Sequence, residues 1–388
     1  MSHKAYPLQK PFFTPGVYVL LIFMATGGVT VLARFIGGIG YVSNLTHLTP
    51  WGLWIGIDVA SGVALAAGGF TTAALAHILG RHHYEPVVRP ALLTAALGYT
   101  FVVLGLLVDI GRTWAIWKPM LYWNPNSVLF EVAMCVMIYL NVLYIEFIPI
   151  ITEQFKSKFK ILAVLEDNLE KFMWIFVIAG VVLSCMHQSS LGSLMLIAPT
   201  KLHPLWYTPI LPLLFLLSAI SVGYPMVIFE TTVITTSMNL ESEMDCLSPL
   251  SKISIYLLGI YMIIKISDML VRGTYVYLLD FNAQSNAFLC EIILGVITPW
   301  ILLCFKKVRQ SRKALFFASC LIIFGVLINR INVFIVGFKP HYSTTSYFPS
   351  IGEILVTCGL IATLMFIYRL AVTWLPVLSA KEKEGGVS

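Results

Sequence analysis

Asp58, Asp109, Glu131 and His187 are ionisable side chains set inside apolar segments. A charge held in a bilayer costs roughly 3 kcal/mol or more, so such residues mark a functional site by default. They fall on successive segments, the second to the fifth apolar runs of the chain, each in the half nearest the same face. Asp58 follows Pro50-Trp-Gly-Leu-Trp and lies about 10 Å inside its span at 1.5 Å per helical residue. Asp109 opens Asp109-Ile-Gly-Arg112 at the end of its span. Glu131 sits a turn into the next, and His187 is in Met186-His-Gln-Ser-Ser-Leu-Gly-Ser193. Acids, a histidine and an arginine in a membrane pocket with aromatics at its mouth suit a quinone. Its carbonyls need donors, its reduction takes up protons, and its ring and tail need apolar walls. A carboxyl removed from water favours its protonated form and can then donate, and histidine titrates near the working pH.

Each residue also has a plainer role. Asp109 and Arg112, at i and i+3, can neutralise each other. Glu131 can be a solvated cap beneath Asn126, and His187 a hydrogen-bonded packing residue. Asp58, among small apolar neighbours, is the hardest to explain that way. A further set runs toward the other face: Tyr99 about 15 Å beyond Asp109, Glu146 about 22 Å from Glu131, and Glu230 near the end of the sixth span. These are candidates for a proton relay, or simply interface residues. Lys265, Asp268 and Arg272 share one stripe and are expected to form an intramembrane ion-pair network. The second half of the chain offers fewer such groups at the depth of Asp58. A proton-coupled transporter is the alternative, but it places its site near the midplane on broken helices, and no clear mid-span break is visible. A haem b site needs two facing histidines; His77 and His187 lie near opposite faces, and His82 and His83 fall in a loop. The seven cysteines include no C-x-x-C pair and read as packing residues, so no haem and no iron–sulfur cluster is expected in this chain.

The elements that must position these residues follow from composition. The 388 residues are 58% hydrophobic and 11% charged, with mean hydropathy +0.86. A soluble domain carries about 25% charge, so the chain is an all-α polytopic membrane protein. Ten spans are expected, at 15–40, 52–79, 90–112, 127–151, 172–196, 209–236, 252–271, 286–305, 314–336 and 352–378. The first is too long for a signal-peptide core and is expected to stay as a helix. An even count puts both termini on one face. That face carries Lys4, Lys10, Arg81, Arg89, Lys156, Lys158, Lys160, Lys171, Lys252, Lys306, Lys307, Arg309, Arg312, Lys313, Lys381 and Lys383. The opposite face carries Arg112, Lys118, Lys201, Arg272 and Lys339. The positive-inside rule makes the first face cytoplasmic. Trp51, Trp54, Trp114, Trp117, Trp123 and Trp206 gather at the other face, more than an aromatic belt explains, which suggests a docking or ligand surface there.

Asn126-Ser-Val-Leu-Phe-Glu131 matches Asn286-Ala-Phe-Leu-Cys-Glu291 at an offset of 160 residues, and the same offset takes Arg112 onto Arg272. Two matches in register suggest parallel four-helix bundles, 52–196 with the candidate quinone site and 209–336, with 15–40 and 352–378 as flanking additions.

The segments Pro50-Trp-Gly-Leu-Trp-Ile-Gly-Ile-Asp58, Arg89-Pro-Ala-Leu-Leu93, Gly98-Tyr99, Asp109-Ile-Gly-Arg112, Asn124-Pro-Asn-Ser-Val-Leu-Phe-Glu131, Met186-His-Gln-Ser-Ser-Leu-Gly-Ser-Leu-Met195 and His203-Pro-Leu-Trp206 carry a resemblance. The chain resembles the NrfD/PsrC (polysulfide reductase) membrane subunits, in particular the ten-helix HybB-like type. It is also similar to the membrane subunit of Hmc high-molecular-weight cytochrome c complexes. The motifs are dense in the second to sixth spans and thin beyond. The resemblance implies a haem-free, quinone-reactive anchor in a bacterial inner membrane. Its implied partners are a periplasmic ferredoxin-like iron–sulfur subunit fed by a [NiFe] hydrogenase, a multihaem cytochrome c or a molybdopterin enzyme, and its implied bound substrate is menaquinone. It assigns quinone chemistry or proton transfer to the positions of Glu131, His187, Tyr99 and Glu230. The expected function is electron exchange between that partner and the menaquinone pool, with proton translocation as a possible accompaniment. A purely structural anchor is the remaining alternative.

Overall fold

An apolar segment in lipid cannot leave its backbone polar groups unpaired, so each expected span must close into a helix. The computed structural model describes residues 5–8, 11–155, 160–340 and 347–379. It contains ten helices long and apolar enough to span a bilayer. They are α1 (Pro15–Gly37), α2 (Trp54–Ile78), α3 (His82–Asp109), α4 (Val128–Phe155), α5 (Lys171–Ser193), α6 (Leu211–Ser237), α7 (Met244–Val271), α8 (Ala283–Cys304), α9 (Arg312–Val336) and α10 (Ile351–Trp374). The protein is therefore an all-α, multi-pass membrane protein, and its ten spans agree with the expected segments to within a few residues at most ends. Tyr6 pairs with Leu378, so the described ends of the chain meet on one face, called here the terminal face. Lys4, Lys10, Lys156, Lys158, Lys381 and Lys383, used above for orientation, lie outside the described residues, as does the side chain of Lys160.

Helices α2 and α6 form the centre: 83% and 67% of their most apolar stretches are buried, against 11% for α1. Helix α2 packs on α3 and α6; α6 also packs on α5, α7 and α9; α4 pairs with α5; α1 lies along α10, which in turn packs on α3. In lipid the hydrophobic effect does not drive helices together, so small residues that admit close approach do much of this work. A Cβ at Gly27 would fall 2.6 Å from the backbone of Gly359, joining α1 to α10, and one at Gly295 would fall 2.2 Å from Gly325, joining α8 to α9.

The expectation of unbroken helices does not hold. Helix α2 opens in a π-helical stretch, Trp54–Ser61, which contains Asp58. It has a turn at Ala66 between two short α segments and winds as a π-helix again over Ala74–Ile78. Further π segments follow Glu291 in α8 (Ile293–Ile297) and Arg330 in α9 (Asn332–Val336). A π-turn inserts one residue and shifts the i→i−4 ladder, and such turns occur often at functional sites. Within the first of them the Ser61 hydroxyl donates to the Gly56 carbonyl at 2.7 Å. The tryptophans also divide. Trp54 and Trp206 are core residues, whereas Trp114, Trp117 and Trp123 are exposed between α3 and α4.

Candidate functional site

The polar residues of the spans assemble into separate groups. The first lies where α1, α2, α3 and α10 meet. The π-turn aims Asp58 at α3, so closely that a Cβ at Gly105 would lie 3.0 Å from the Asp58 Cβ. Thr357 of α10 donates to the Asp58 carboxylate at 2.7 Å. Asp109, the last residue of α3, is in electrostatic range of Asp58, Glu353 and Arg34, and one of its carboxyl oxygens is buried without a hydrogen-bond partner. Arg34 of α1 is buried and covers the end of α3, donating to the carbonyls of Val108 (2.6 Å) and Ile110 (2.5 Å), where the helix dipole favours a cation. Glu353 caps α10 through Ser350 and accepts from the Asn44 amide at 3.1 Å and from the Tyr347 hydroxyl.

The i,i+3 pairing of Asp109 with Arg112 is thereby corrected. Helix α3 stops at Asp109 and Ile110 is extended, so helical spacing no longer applies, and Arg112 is exposed. The arginine facing Asp109 is Arg34. Helix α10, expected as an addition, contributes Thr357 and Glu353 to this group.

The second group lies among α3, α4 and α5. The Tyr99 hydroxyl and the His187 Nδ1 are 3.3 Å apart, both side chains fully buried. The ring of Tyr139 stands edge-on to Tyr99 with centroids 4.5 Å apart. One turn beyond His187, Ser190 donates to the Glu131 carboxylate at 2.5 Å; Glu131 itself is exposed. Gln188 donates to the Val63 carbonyl at 2.7 Å, tying α5 to α2, while its own oxygen is buried without a partner. Buried polar atoms nearly always find partners, yet here a Glu146 carboxylate oxygen also lacks one, and the Tyr139 and Ser184 hydroxyls, though side by side, form no well-formed bond. Glu230 stands apart, between α6 and α10, accepting from the Tyr368 hydroxyl at 2.6 Å.

The expected four-residue pocket is thus resolved into two neighbourhoods. Asp58 and Asp109 come together in one; His187, Tyr99 and Glu131 gather in the other. Arg112 joins neither.

The third group lies in the second half of the chain and repartners the expected Lys265, Asp268 and Arg272 network. Lys265 of α7 bonds Glu291 of α8, not Asp268. Asn329 donates to Glu291 at 2.8 Å, and Trp206 and Asn332 each at 2.9 Å. Arg330 lies over the Phe215 ring, 3.7 Å from its centroid, and donates to the Ser218 hydroxyl at 2.9 Å and to Asn329 at 2.7 Å. Asp268 and Arg272 pair separately at 2.8 Å. A cavity of about 20 Å³, room for about one water, adjoins Lys265, Asp268 and Arg272. Arg34, Lys265 and Arg330 carry the same signal that singled out Asp58, an ionisable group in an apolar run. Their partners sit on other helices and have no signature in sequence. All seven cysteines are free thiols. Among the described residues, no cluster of three or more histidine, cysteine or acidic side chains is placed to hold a metal ion.

Ten spans with buried ionisable groups facing one another across helices define a polytopic membrane protein with a polar interior. Comparison narrows the class. The polysulphide reductase, NrfD, family matches residues 42–339, so the chain belongs to the NrfD family. It is 37% identical over 380 residues to a protein of Nitratidesulfovibrio vulgaris (Hildenborough), covering 95% of this chain and 96% of that one. It is 32% identical over 385 residues to the probable Ni/Fe-hydrogenase 2 b-type cytochrome subunit of Escherichia coli K12, covering 97% and 96%. It is 26% identical over 396 residues to the menaquinone reductase integral membrane subunit of N. vulgaris, covering 94% and 89%.

Proposed function

We propose that the chain is the quinone-reactive membrane subunit of a respiratory redox complex. It exchanges electrons between an external iron–sulfur partner, fed by a hydrogenase or a multihaem cytochrome, and the menaquinone pool of a bacterial cytoplasmic membrane. The terminal face is then cytoplasmic, as the Lys and Arg distribution favours. Residues 52–196 and 209–336 are read as its two four-helix bundles, the first carrying the site. The observation that carries the reading is the His187–Tyr99 pair, sealed in apolar surroundings beside polar atoms that lack partners. A quinone supplies carbonyl acceptors for such donors and takes up electrons with protons when it is reduced. In this reading His187 and Glu131 hold the head group and a proton, and the buried Tyr99, Tyr139 and Leu191 are its walls. Asp58 and Asp109 form a neighbouring acid pair on the way to the opposite face.

In this reading the chain holds no haem. His187 is engaged by Tyr99, and His77 lies at the terminal end of α2. The relative with a b-type cytochrome name makes this a point to test by the pyridine haemochrome spectrum of the intact complex. The main test is a quinone copurifying with that complex, and quinone-linked activity lost in Glu131→Gln or His187→Ala while assembly survives. Full activity in both variants would leave a structural anchor. The interrupted α2, with Asp58 in its π-turn, favours a second reading, an ion- or proton-coupled transporter. Uptake of solute or ion by the isolated subunit in liposomes would select it.

A further inference from the structure

Three side-chain oxygens in the α3–α4–α5 group need an interpretation beyond packing. Tyr139 and Ser184 are fully buried, and neither hydroxyl has a well-formed hydrogen bond. Ser184 lies beside the phenols of both Tyr99 and Tyr139. Tyr139 is in electrostatic range of Glu146 on the same helix, and one Glu146 oxygen is buried without a partner. A buried polar group without a well-formed bond costs up to about 1–3 kcal/mol, so three in one group are a poor way to build a core and a good way to line a chain of water and hydroxyls. The α4 sequence adds direction. Tyr139, Glu146 and Glu153 recur every seven residues, on one face of the helix and about 10 Å apart. Glu153 ends the series at the terminal face, paired with Arg89 at 2.8 Å and partly exposed. Facing Glu146 across the helix pair is Gly180 of α5, where a Cβ would lie 2.6 Å from the Glu146 oxygen. The absent side chain makes the slot that the carboxyl occupies.

We infer that protons move between the His187–Tyr99 site and the terminal face along the α4–α5 seam, through Tyr139, Ser184, Glu146 and Glu153, with Gly180 as the residue that positions Glu146. Each hydroxyl accepts a proton on one side and releases one on the other, so the line carries protons without net change in itself. The inference rests on the proposed quinone reading and assigns the side of the membrane from which its protons come. Glu230 is bound to Tyr368 between α6 and α10, off this seam.

The test uses the intact complex in oriented proteoliposomes, with reduced benzyl viologen as electron donor, a short-chain naphthoquinone as acceptor, and pH dyes on each side. Glu146→Gln and Gly180→Ala should each lower proton uptake from the terminal face about tenfold or more. Gly180→Ala combined with Glu146→Asp should recover most of it, because the acid one methylene shorter withdraws from the new Cβ. A merely structural defect gives no such rescue. Tyr144→Phe, at an exposed α4 residue whose hydroxyl bonds Thr100 of α3 away from the α4–α5 seam, should keep wild-type uptake. Wild-type uptake from the terminal face in assembled Glu146→Gln and Gly180→Ala complexes overturns the inference while leaving the quinone reading intact. If the wild-type complex itself passes no electrons from viologen to quinone, the quinone reading fails and the inference falls with it.

Discussion

Glu131 and Glu291 lie in the two matching segments set 160 residues apart, one opening α4 and the other opening α8. Glu291 is fully buried and takes bonds from Lys265, Trp206, Asn329 and Asn332. Glu131 is exposed and is bonded to Ser190. Both Glu291 oxygens are bonded, although the Arg330 Nε of the same group lacks a partner; in the group to which Glu131 belongs, the Tyr139 and Ser184 hydroxyls and a Gln188 oxygen lack well-formed bonds. A saturated carboxylate is held in one state and fixes helix positions. A loosely held one can change partners and protons. On the proposed reading, fixed charge lies around Glu291 and changeable charge around Glu131.

Breaking the fixed side should have the largest effect. Lys265→Met leaves Glu291 as a buried, uncompensated charge, a loss of about 3–5 kcal/mol. Thermal denaturation of the purified complex should show it as lost assembly or a sharply lowered midpoint. Lys265→Met with Glu291→Gln removes both charges and should regain much of that loss. The changeable side should respond in activity. His187→Ala should lower quinone-linked turnover by about 10²–10⁴-fold, the usual worth of a positioned proton-transfer group, with melting near wild type. Thr357→Val removes the donor on Asp58 and should alter turnover or stability by about 1 kcal/mol, read from turnover per assembled complex. Arg112→Ala should change stability by less than about 0.5 kcal/mol, as exposed residues do, whereas Arg34→Ala uncovers the end of α3 and should exceed that in the same melts.

The smallest effect concerns His203, outside the spans beside Trp206. Burial, and then the nearby Lys339 charge, hold its pKa below the ordinary value, against an opposing pull from Asp280. The unfolded chain therefore binds this proton more readily than the folded one. The contribution to stability is complete above pH about 6.5 and declines as pH falls below it. The slope of melting temperature against pH in that range should flatten in His203→Asn.

What could be read from sequence follows physical range. The spans were legible because bilayer thickness and backbone pairing force apolar length into helices. Asp58 and His187 were legible because a polar group in an apolar run is an energetic anomaly visible one residue at a time. Arg34, Lys265 and Arg330 carry the same anomaly, but their roles depend on partners tens to hundreds of residues away: Val108 and Ile110 for Arg34, Glu291 for Lys265, Phe215 and Ser218 for Arg330. The Asp109–Arg112 pairing failed because the helix ends at Asp109, the residue where the spacing begins. The π-turn at Asp58 has no composition of its own; it lies where α2 packs between α3, α9 and α10.

The central claim is that one half carries chemistry and the other carries structure. It is tested most directly by quinone-linked turnover per assembled complex in two variants side by side, His187→Ala and the double neutral variant Lys265→Met with Glu291→Gln. The account predicts turnover within about threefold of wild type for the double variant and a fall of about 10²-fold or more for His187→Ala. The reverse order, with His187→Ala active and the neutralised pair inactive, would contradict it.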